Sequence, residues 1–296
     1  MTFCLVGSIF AGAITLKKEN DQVLNKTNND SSSWTLMIYL DGDNNLESSA
    51  IIDFLEMSAV GSTEYVNIVV QFDRVDGYDY SYGDWTSCKR FHILQDMIPT
   101  SENAIMDIGE ANMGDPQELI DFTTWSISNF PADNYCLILW DHGSGWKLSN
   151  NDGRKDICED ITNYDVLELY ELKNALSEIT SDSSFKIELL GFDACLMGEI
   201  EVAYELKDFC NYITASENTE PADGWNYEES LADLVENYNN TDGEKLGEYF
   251  VTHYEGYQIT LSTIDVSNLD SLTNAISNLG SALSSSEYID KILNVF

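Results

Sequence analysis

The alternation of short apolar runs with amphipathic segments constrains this chain more than any other feature. From Trp34 onward, runs of about four to eight apolar residues are separated by segments with helical periodicity, which is typical of α/β layering. The middle runs, such as "YCLILW" (135–140), are apolar on both faces, as in a sheet that is covered by helices on both sides. We therefore predict a three-layer α/β/α sandwich around a mostly parallel sheet. The predicted strands are 34–40, 66–72, 88–94, 135–140, 186–192, 212–216 and 258–265.

The segments between these runs have the apolar spacing of helices. The clearest start is Asp115 followed by Pro116, since aspartate caps a helix and proline is well tolerated in its first turn. The predicted helices are 45–59, 116–129, 164–179, 198–210, 228–237, 243–254 and 267–283.

The amino-terminal residues differ from the rest of the chain. Residues 1–16 contain an apolar run that is short for a transmembrane helix and suits a signal peptide or a short membrane anchor, although no Lys or Arg precedes it. Residues 17–33 are polar and read as a linker, and residues 34–296 form the predicted folded domain. The sequence stops at "YIDKILNVF" without a helix-stop signal, which marks it as a candidate fragment. We expect an exported protein, extracellular or at the cell surface, with membrane association through the first segment left open.

The charge balance limits the partners of the protein. There are 14 Lys and Arg residues against 52 Asp and Glu residues, a formal net charge of −38. Nucleic acid is excluded as a partner, because its phosphates would be repelled. Such a field attracts basic peptides and cations, although solubility is the simpler interpretation of the acidic excess.

Cysteine and histidine residues give little sign of a metal centre. None of the six cysteines forms a CxxC pair, so no metal ligand set is predicted. We interpret Cys88, Cys136 and Cys210 as buried structural residues, and His92 and His253 as structural histidines.

The segment "DGDNNLESSAII" has part of the spacing of a calcium-binding EF-hand loop. Asp41, Asp43 and Asn45 match the first ligand positions. The match then fails, because Leu46 occupies the glycine position and Ile52 the position of the bidentate acid. An EF-hand is therefore excluded, while calcium binding elsewhere on so acidic a chain stays open.

Two predicted strands end in residues that carry chemistry. The run at 135–140 is followed by His142 and by Gly143, which allows the backbone to approach a ligand closely. The run at 186–192 is followed by Asp193 and Cys195, and a predicted helix start there would favour the thiolate of the cysteine. Open α/β sheets bind ligands at the carboxyl ends of their strands. The cysteine follows the histidine by about 50 residues, the spacing of caspases.

The arrangement of these motifs resembles that of the clostripain family, a branch of the caspase-like cysteine peptidases. The resemblance extends over most of residues 34–230. The matching segments are "WTLMIYLDGDNNLE" (34–47), "NMGDPQELIDF" (112–122), "LILWDHGSGW" (137–146), "GFDACLMGEIEVAYEL" (191–206) and "ASENTEPADGWNY" (215–227).

The resemblance implies roles for individual residues. Cys195 would be the nucleophile and His142 the general acid and base, with the backbone N–H groups of Gly143 and Cys195 forming the oxyanion hole. Members of this family cut after Arg or Lys, and Asp193 would be the acid that pairs with that basic side chain. Asp223 is a candidate second pocket acid, and an ordinary turn residue is an equally good interpretation.

The resemblance also implies how the protein would be activated. Family members are often activated by cutting themselves in the loop after the histidine, where this chain has Arg154 and Lys155 in "NNDGRKDICED". No cofactor is needed for the chemistry, and calcium, which some relatives need, stays open as a structural or activating ion. The expected function is a cysteine endopeptidase acting after Arg, with Lys as the second choice, on protein or peptide substrates. The alternatives are an inactive surface binding protein with the same fold, and a caspase-like peptidase with non-basic specificity.

Overall fold

The computed structural model describes residues 32–146, 156–181, 185–255 and 260–284. The strands in these residues are β1 Ser32–Gly42, β2 Val66–Arg74, β3 Cys88–His92, β4 Met106–Gly109, β5 Ala132–Trp140, β6 Asp156–Asp160, β7 Asp165–Glu168, β8 Ile187–Asp193, β9 Cys210–Ser216 and β10 Leu261–Asp265. The helices are α1 Glu47–Val60, α2 Pro116–Asn129, α3 Leu169–Ile179, α4 Ile200–Leu206, α5 Tyr227–Asn237, α6 Gly243–His253 and α7 Leu269–Ser284.

Eight strands form one sheet in the order β10-β9-β8-β5-β1-β2-β3-β4. The five central strands, from β9 to β2, are all parallel. The two edges are antiparallel, because β3 pairs with β2, β4 with β3 and β10 with β9. The predicted mostly parallel sheet is therefore confirmed. A separate antiparallel hairpin is formed by β6 and β7.

Helices cover both faces of the sheet, which confirms the predicted three layers. Strand β1 shows why: Leu36 and Ile38 belong to the core beneath α1, α5 and α6, while Met37 and Tyr39 belong to the core beneath α2, α3 and α4. Successive side chains of a strand point to opposite faces, so an uninterrupted apolar run is what such a strand requires.

The structure corrects several predicted boundaries. The helix predicted over 164–179 begins only at Leu169, because Asp165–Glu168 pairs with β6 as a strand. The side chain of Glu171 then accepts a hydrogen bond from the backbone N–H of Glu168, which fixes the helix start. The helix predicted over 198–210 is also shorter, since α4 ends at Leu206 and β9 begins at Cys210. Strands β4, β6 and β7 were not predicted.

Some predictions fall outside the described residues. These are the signal peptide or anchor, most of the linker, and the basic pair Arg154 and Lys155. Within the described part of the chain, no helix has both the length and the apolar character needed to cross a membrane.

Candidate active site

Parallel pairing places the predicted histidine and cysteine at one edge of the sheet. In the ladder between β5 and β8, Trp140 is paired with Asp193. The ladder extends one step further, because the backbone N–H of Asp141 donates to the carbonyl of Asp193 at 3.2 Å. His142 and Cys195 each follow this paired position by two residues, so both lie at the carboxyl ends of adjacent strands.

Gly143 brings the two segments into direct contact. A Cβ atom at Gly143 would lie 2.4 Å from the carbonyl oxygen of Cys195 and 3.2 Å from its backbone nitrogen. Neither approach leaves room for a side chain, and the closer one involves backbone that cannot rotate away. The glycine that follows the histidine is therefore required by packing against the cysteine.

His142 is half-buried and is held by a residue that the sequence analysis did not select. Its Nε2 atom lies 3.0 Å from Oδ1 of Asn45, in the loop between β1 and α1. The amide oxygen can accept a hydrogen bond only from a protonated Nε2, which in the neutral ring leaves Nδ1 as the basic nitrogen. Asn45 therefore helps to orient the imidazole and favours the tautomer with the proton on Nε2.

The carboxylate of Asp141, the residue before the histidine, accepts hydrogen bonds from the backbone N–H of His142 and from two further segments. Its carboxylate is buried and accepts hydrogen bonds from Nδ2 of Asn44, at 2.7 Å, and from the backbone N–H of Glu159. Burial is the largest of the effects that raise its pKa well above the usual range. Asp141 thus joins the β1–α1 loop to β6.

Cys195 is the half-buried cysteine among the five that the structure describes, all of which are free thiols. Its Sγ atom accepts a hydrogen bond from the backbone N–H of Glu220 at 3.2 Å. The buried thiols have raised pKa values because burial disfavours the thiolate, and the pKa of Cys210 is raised to about 12. Of the described thiols, Cys195 alone is not buried, so it is the one that a substrate can reach. The other four are Cys88, Cys136, Cys158 and Cys210.

The predicted helix start at Cys195 is wrong. A turn with Leu196 in the left-handed region, at a φ of 66°, follows the cysteine, and α4 begins only at Ile200. This turn is joined to the segment after β9, because the backbone N–H of Leu196 donates to the carbonyl of Asn218 at 3.0 Å. A helix dipole therefore contributes little at the sulfur, since its effect falls off within one turn.

Asp193 lies buried beside the cysteine. Its Oδ2 atom accepts hydrogen bonds from the hydroxyl of Tyr227, at 2.9 Å, and from the backbone N–H of Trp225, at 3.2 Å. Burial raises its pKa to about 6. The aspartate is therefore held rigidly by neutral donors.

Glu220 is a second acid at this position, and the sequence analysis missed it. Both of its carboxylate oxygens are buried, and the side chains of Trp225 and Asp193 are the hydrogen-bonding groups within their reach. Its pKa is raised far above the usual range, first by burial and then by the charge of Asp193. When protonated, Glu220 can share its proton with Asp193.

Asp53 of α1 adds a third carboxylate. Its Oδ2 atom accepts a hydrogen bond from Nε1 of Trp140 at 2.6 Å, and its pKa is raised by burial and by Asp193. Among the described Lys and Arg residues, none forms an ion pair with Asp53, Asp193 or Glu220. We call these three residues the pocket acids. They form a buried acidic site next to the thiol, and this site has no described cation as a partner.

Asp223 lies near the pocket acids but differs from them. Its side chain is exposed, and Gly224 after it has a φ of 59°. A Cβ atom at Gly224 would lie 2.9 Å from Oδ2 of Asp53 and 3.1 Å from Oδ2 of Asp193. The structure thus brings the loop of Asp223 against the pocket, with the Asp223 carboxylate at the surface.

An α/β/α sandwich that presents a half-buried cysteine and a histidine at the ends of adjacent parallel strands has the arrangement of the caspase-like cysteine peptidases. Residues 38–295 match the model of the clostripain family. The chain belongs to that family.

Individual relatives agree with this assignment. The chain is 30% identical to the clostripain of Hathewaya histolytica over 334 residues, which cover 93% of this chain and 62% of the relative. It therefore spans less than two thirds of that protein. The chain is also similar to a secreted C11 cysteine protease from Bacteroides thetaiotaomicron, whose X-ray structure was determined in complex with an irreversible peptide inhibitor. The two chains are 25% identical with a TM-score of 0.64, and the match covers 82% of this chain and 69% of that one.

A second solved structure supports the fold. It is an inactive zymogen C11 protease from Parabacteroides distasonis, 23% identical with a TM-score of 0.61, covering 82% of this chain and 64% of that one.

Proposed function

We propose that this protein is an exported cysteine endopeptidase that hydrolyses peptide bonds after Arg, and after Lys as a second choice. The observation that carries the proposal is the position of a half-buried thiol next to buried carboxylates that lack a cation. A guanidinium group entering from a substrate supplies the missing donors, since it can pair with carboxylates in a bidentate manner.

The proposed chemistry uses His142 and Cys195 as a dyad. The thiolate of Cys195 attacks the carbonyl carbon of the scissile bond, and the imidazolium of His142 then gives a proton to the leaving amine. Water hydrolyses the resulting thioester, with His142 acting as the base. The backbone N–H groups of Gly143 and Cys195 are the proposed donors to the oxyanion, and the packing of Gly143 on Cys195 supports this assignment.

The pocket acids explain the proposed preference for a basic residue. Asp193 supplies the negative charge in a fixed position, and Glu220 and Asp53 increase the local negative potential. Entry of the guanidinium favours the ionised form of Glu220, so the proton of this pair is released on binding. Asp223, at the surface, is proposed to attract the basic side chain before it enters.

Matched peptide amides test this function directly. We expect the active protein to hydrolyse a peptide ending in Arg at least about 100-fold faster than one ending in Leu or Asp, because leaving a buried carboxylate without its cation costs about 3–5 kcal/mol. Lys should lie between them, since its ammonium cannot pair in a bidentate manner. Equal rates for Arg and Leu would indicate a peptidase with another specificity. Failure to cleave any peptide after activation would favour the binding-protein alternative.

Self-cleavage after Arg154 or Lys155 is the proposed route of activation. We expect the purified chain to split in this loop on incubation, and the double substitution Arg154→Gln with Lys155→Gln to leave it as one chain with low activity. Gel analysis and sequencing of the new amino terminus measure the cut. A double variant that is fully active as one chain would refute the proposal. A charge-matched control is the double substitution Lys207→Gln with Lys245→Gln, in which the first lysine is half-exposed and the second exposed.

A further inference from the structure

A second group of carboxylates, separate from the pocket acids, lies near the ends of β1, β2, β4 and β6. Asp43 and Glu110 follow β1 and β4, while Asp73 and Asp160 lie in the last residues of β2 and β6. Each provides one carboxylate oxygen, and these four oxygens all lie within 4.8 Å of one another. We call this group the four-carboxylate cluster.

Two members of the cluster are buried with few hydrogen-bond donors around them. Asp43 and Asp73 are 0% exposed, and no described donor hydrogen-bonds to Oδ2 of Asp73. Of the described donors, the carboxylate of Asp43 has only the hydroxyl and the backbone N–H of Thr162 within hydrogen-bonding reach. Asp160 differs, because Oδ1 accepts from the backbone N–H of Asn163 at 2.7 Å. Asp43 and Asp73 each contribute one carboxylate oxygen to the group of four, so two buried carboxylates share one small volume with Asp160 and Glu110.

The arginine next to Asp73 in the sequence forms its ion pair outside the cluster. Arg74 follows Asp73, but its Nε donates to Glu47 at 2.7 Å and its remaining nitrogens donate to carbonyls of the segment after β2. Grouped carboxylates of this kind are costly unless a positive ion joins them.

We propose that the four-carboxylate cluster is a binding site for a divalent cation of the calcium type. Calcium prefers six to eight oxygen ligands at about 2.4 Å, so opposite ligands are about 4.8 Å apart, and four oxygens that all lie within 4.8 Å of one another can share one such ion. Magnesium is usually bound through only one or two carboxylates and keeps several waters. Four converging carboxylates therefore favour calcium.

The same residues show why the EF-hand interpretation of this segment failed. Asp43 is a proposed ligand, as the spacing suggested, but its partners come from three other strands rather than from the following residues of its own loop. The ion would join segments that are distant in the sequence.

The site lies close to the proposed dyad, and this consequence rests on the proposed function. The carbonyl of Asp43 accepts a hydrogen bond from the backbone N–H of Ile161 at 3.0 Å, and Asn45, two residues later, contacts His142. A bound ion would fix the β1–α1 loop and the β6–β7 hairpin against each other. It would thus position the imidazole without touching the substrate.

Calcium binding can be measured without any peptidase activity. In the full chain carrying Cys195→Ala, we expect saturable calcium binding by calorimetry and a rise in the melting temperature of about 5 °C at 100-fold excess over the dissociation constant. Magnesium at the same concentration should give a much smaller rise. Absence of saturable calcium binding up to millimolar concentration would overturn the proposal, whatever the outcome for peptide hydrolysis.

Two substitutions distinguish a metal site from a merely acidic surface. In the same background, Asp73→Asn should raise the melting temperature in chelator, since it removes one buried charge, and should weaken calcium binding at least tenfold. Glu110→Gln, at an exposed member of the cluster, should also weaken binding about tenfold, while the exposed Glu102→Gln should not. The assignment of the calcium site to the cluster would be overturned if Glu110→Gln bound calcium as tightly as Glu102→Gln and the parent protein.

Discussion

Replacing Cys195 by alanine is expected to lower kcat/KM for an Arg peptide amide by at least about 10³-fold, because the nucleophile of the proposed reaction is removed. His142→Ala should have an effect of similar size, and the double variant should be little worse than either single variant, since the two residues act as one unit. Steady-state hydrolysis of the same amide measures all three. Activity within tenfold of the parent in Cys195→Ala would rule out the dyad.

This experiment must separate loss of chemistry from loss of activation. An inactive variant cannot cut its own loop, so each variant is first treated with a trace of active protein, whose own hydrolysis is then subtracted. Cys210→Ala is the matched control, because that thiol is buried at the start of β9. It should lower the melting temperature through loss of packing while it keeps the activity.

Asp193→Asn is expected to lower kcat/KM for the Arg peptide by roughly 10²–10³-fold, while hydrolysis of the Leu peptide changes little. Removing one partner of a buried ion pair costs about 3–5 kcal/mol, because the other charge is left uncompensated. Asparagine keeps the shape of the side chain and can still accept from the hydroxyl of Tyr227, so the fold should be retained. The ratio of the Arg rate to the Leu rate is the quantity to measure.

Asp223→Asn provides the control for this prediction. Its carboxylate is exposed, so we expect a loss below about tenfold that weakens further as salt is added. A parallel fall in Arg and Leu hydrolysis for Asp193→Asn would mean that Asp193 supports the structure of the site rather than its selectivity. A larger loss for Asp223→Asn than for Asp193→Asn would mean that the exposed Asp223 supplies most of the negative charge that selects the Arg side chain.

The central sheet was predictable because each of its strands carries its own signal. Strands β1, β5 and β8 carry apolar residues on both faces and β2 carries them on one face, and this pattern does not depend on the rest of the chain. The β6–β7 hairpin carries no such signal, since "DICED" and "DVLE" mix acidic and apolar residues and form strands only through pairing with each other. Their assignment depends on tertiary contact, which overrides local preference.

The residues of the candidate site also differ in how far the sequence alone predicts their position. The placement of His142, Cys195 and Asp193 at one edge of the sheet was predictable, because the ends of buried strands mark the ligand edge of an α/β sheet. Asn45 and Glu220 were missed because they reach the site from loops, across 97 and 25 positions of sequence respectively. The sequence alone contains "EPADGW", but the direction of the Glu220 side chain is decided by the way this loop packs beneath the cysteine.

The pairing of β5 with β8 has a consequence for the cut chain. A break in residues 147–155 leaves β1 to β5 in one fragment and β6 to β10 in the other, while the ladder from Cys136–Leu189 to Trp140–Asp193 holds the two fragments together. The broken protein is then a heterodimer whose two hydrophobic cores, one on each face of the sheet, both span the two fragments. Its unfolding becomes dissociation, so its melting temperature rises with protein concentration, and dilute unfolded fragments must find each other again before they can refold.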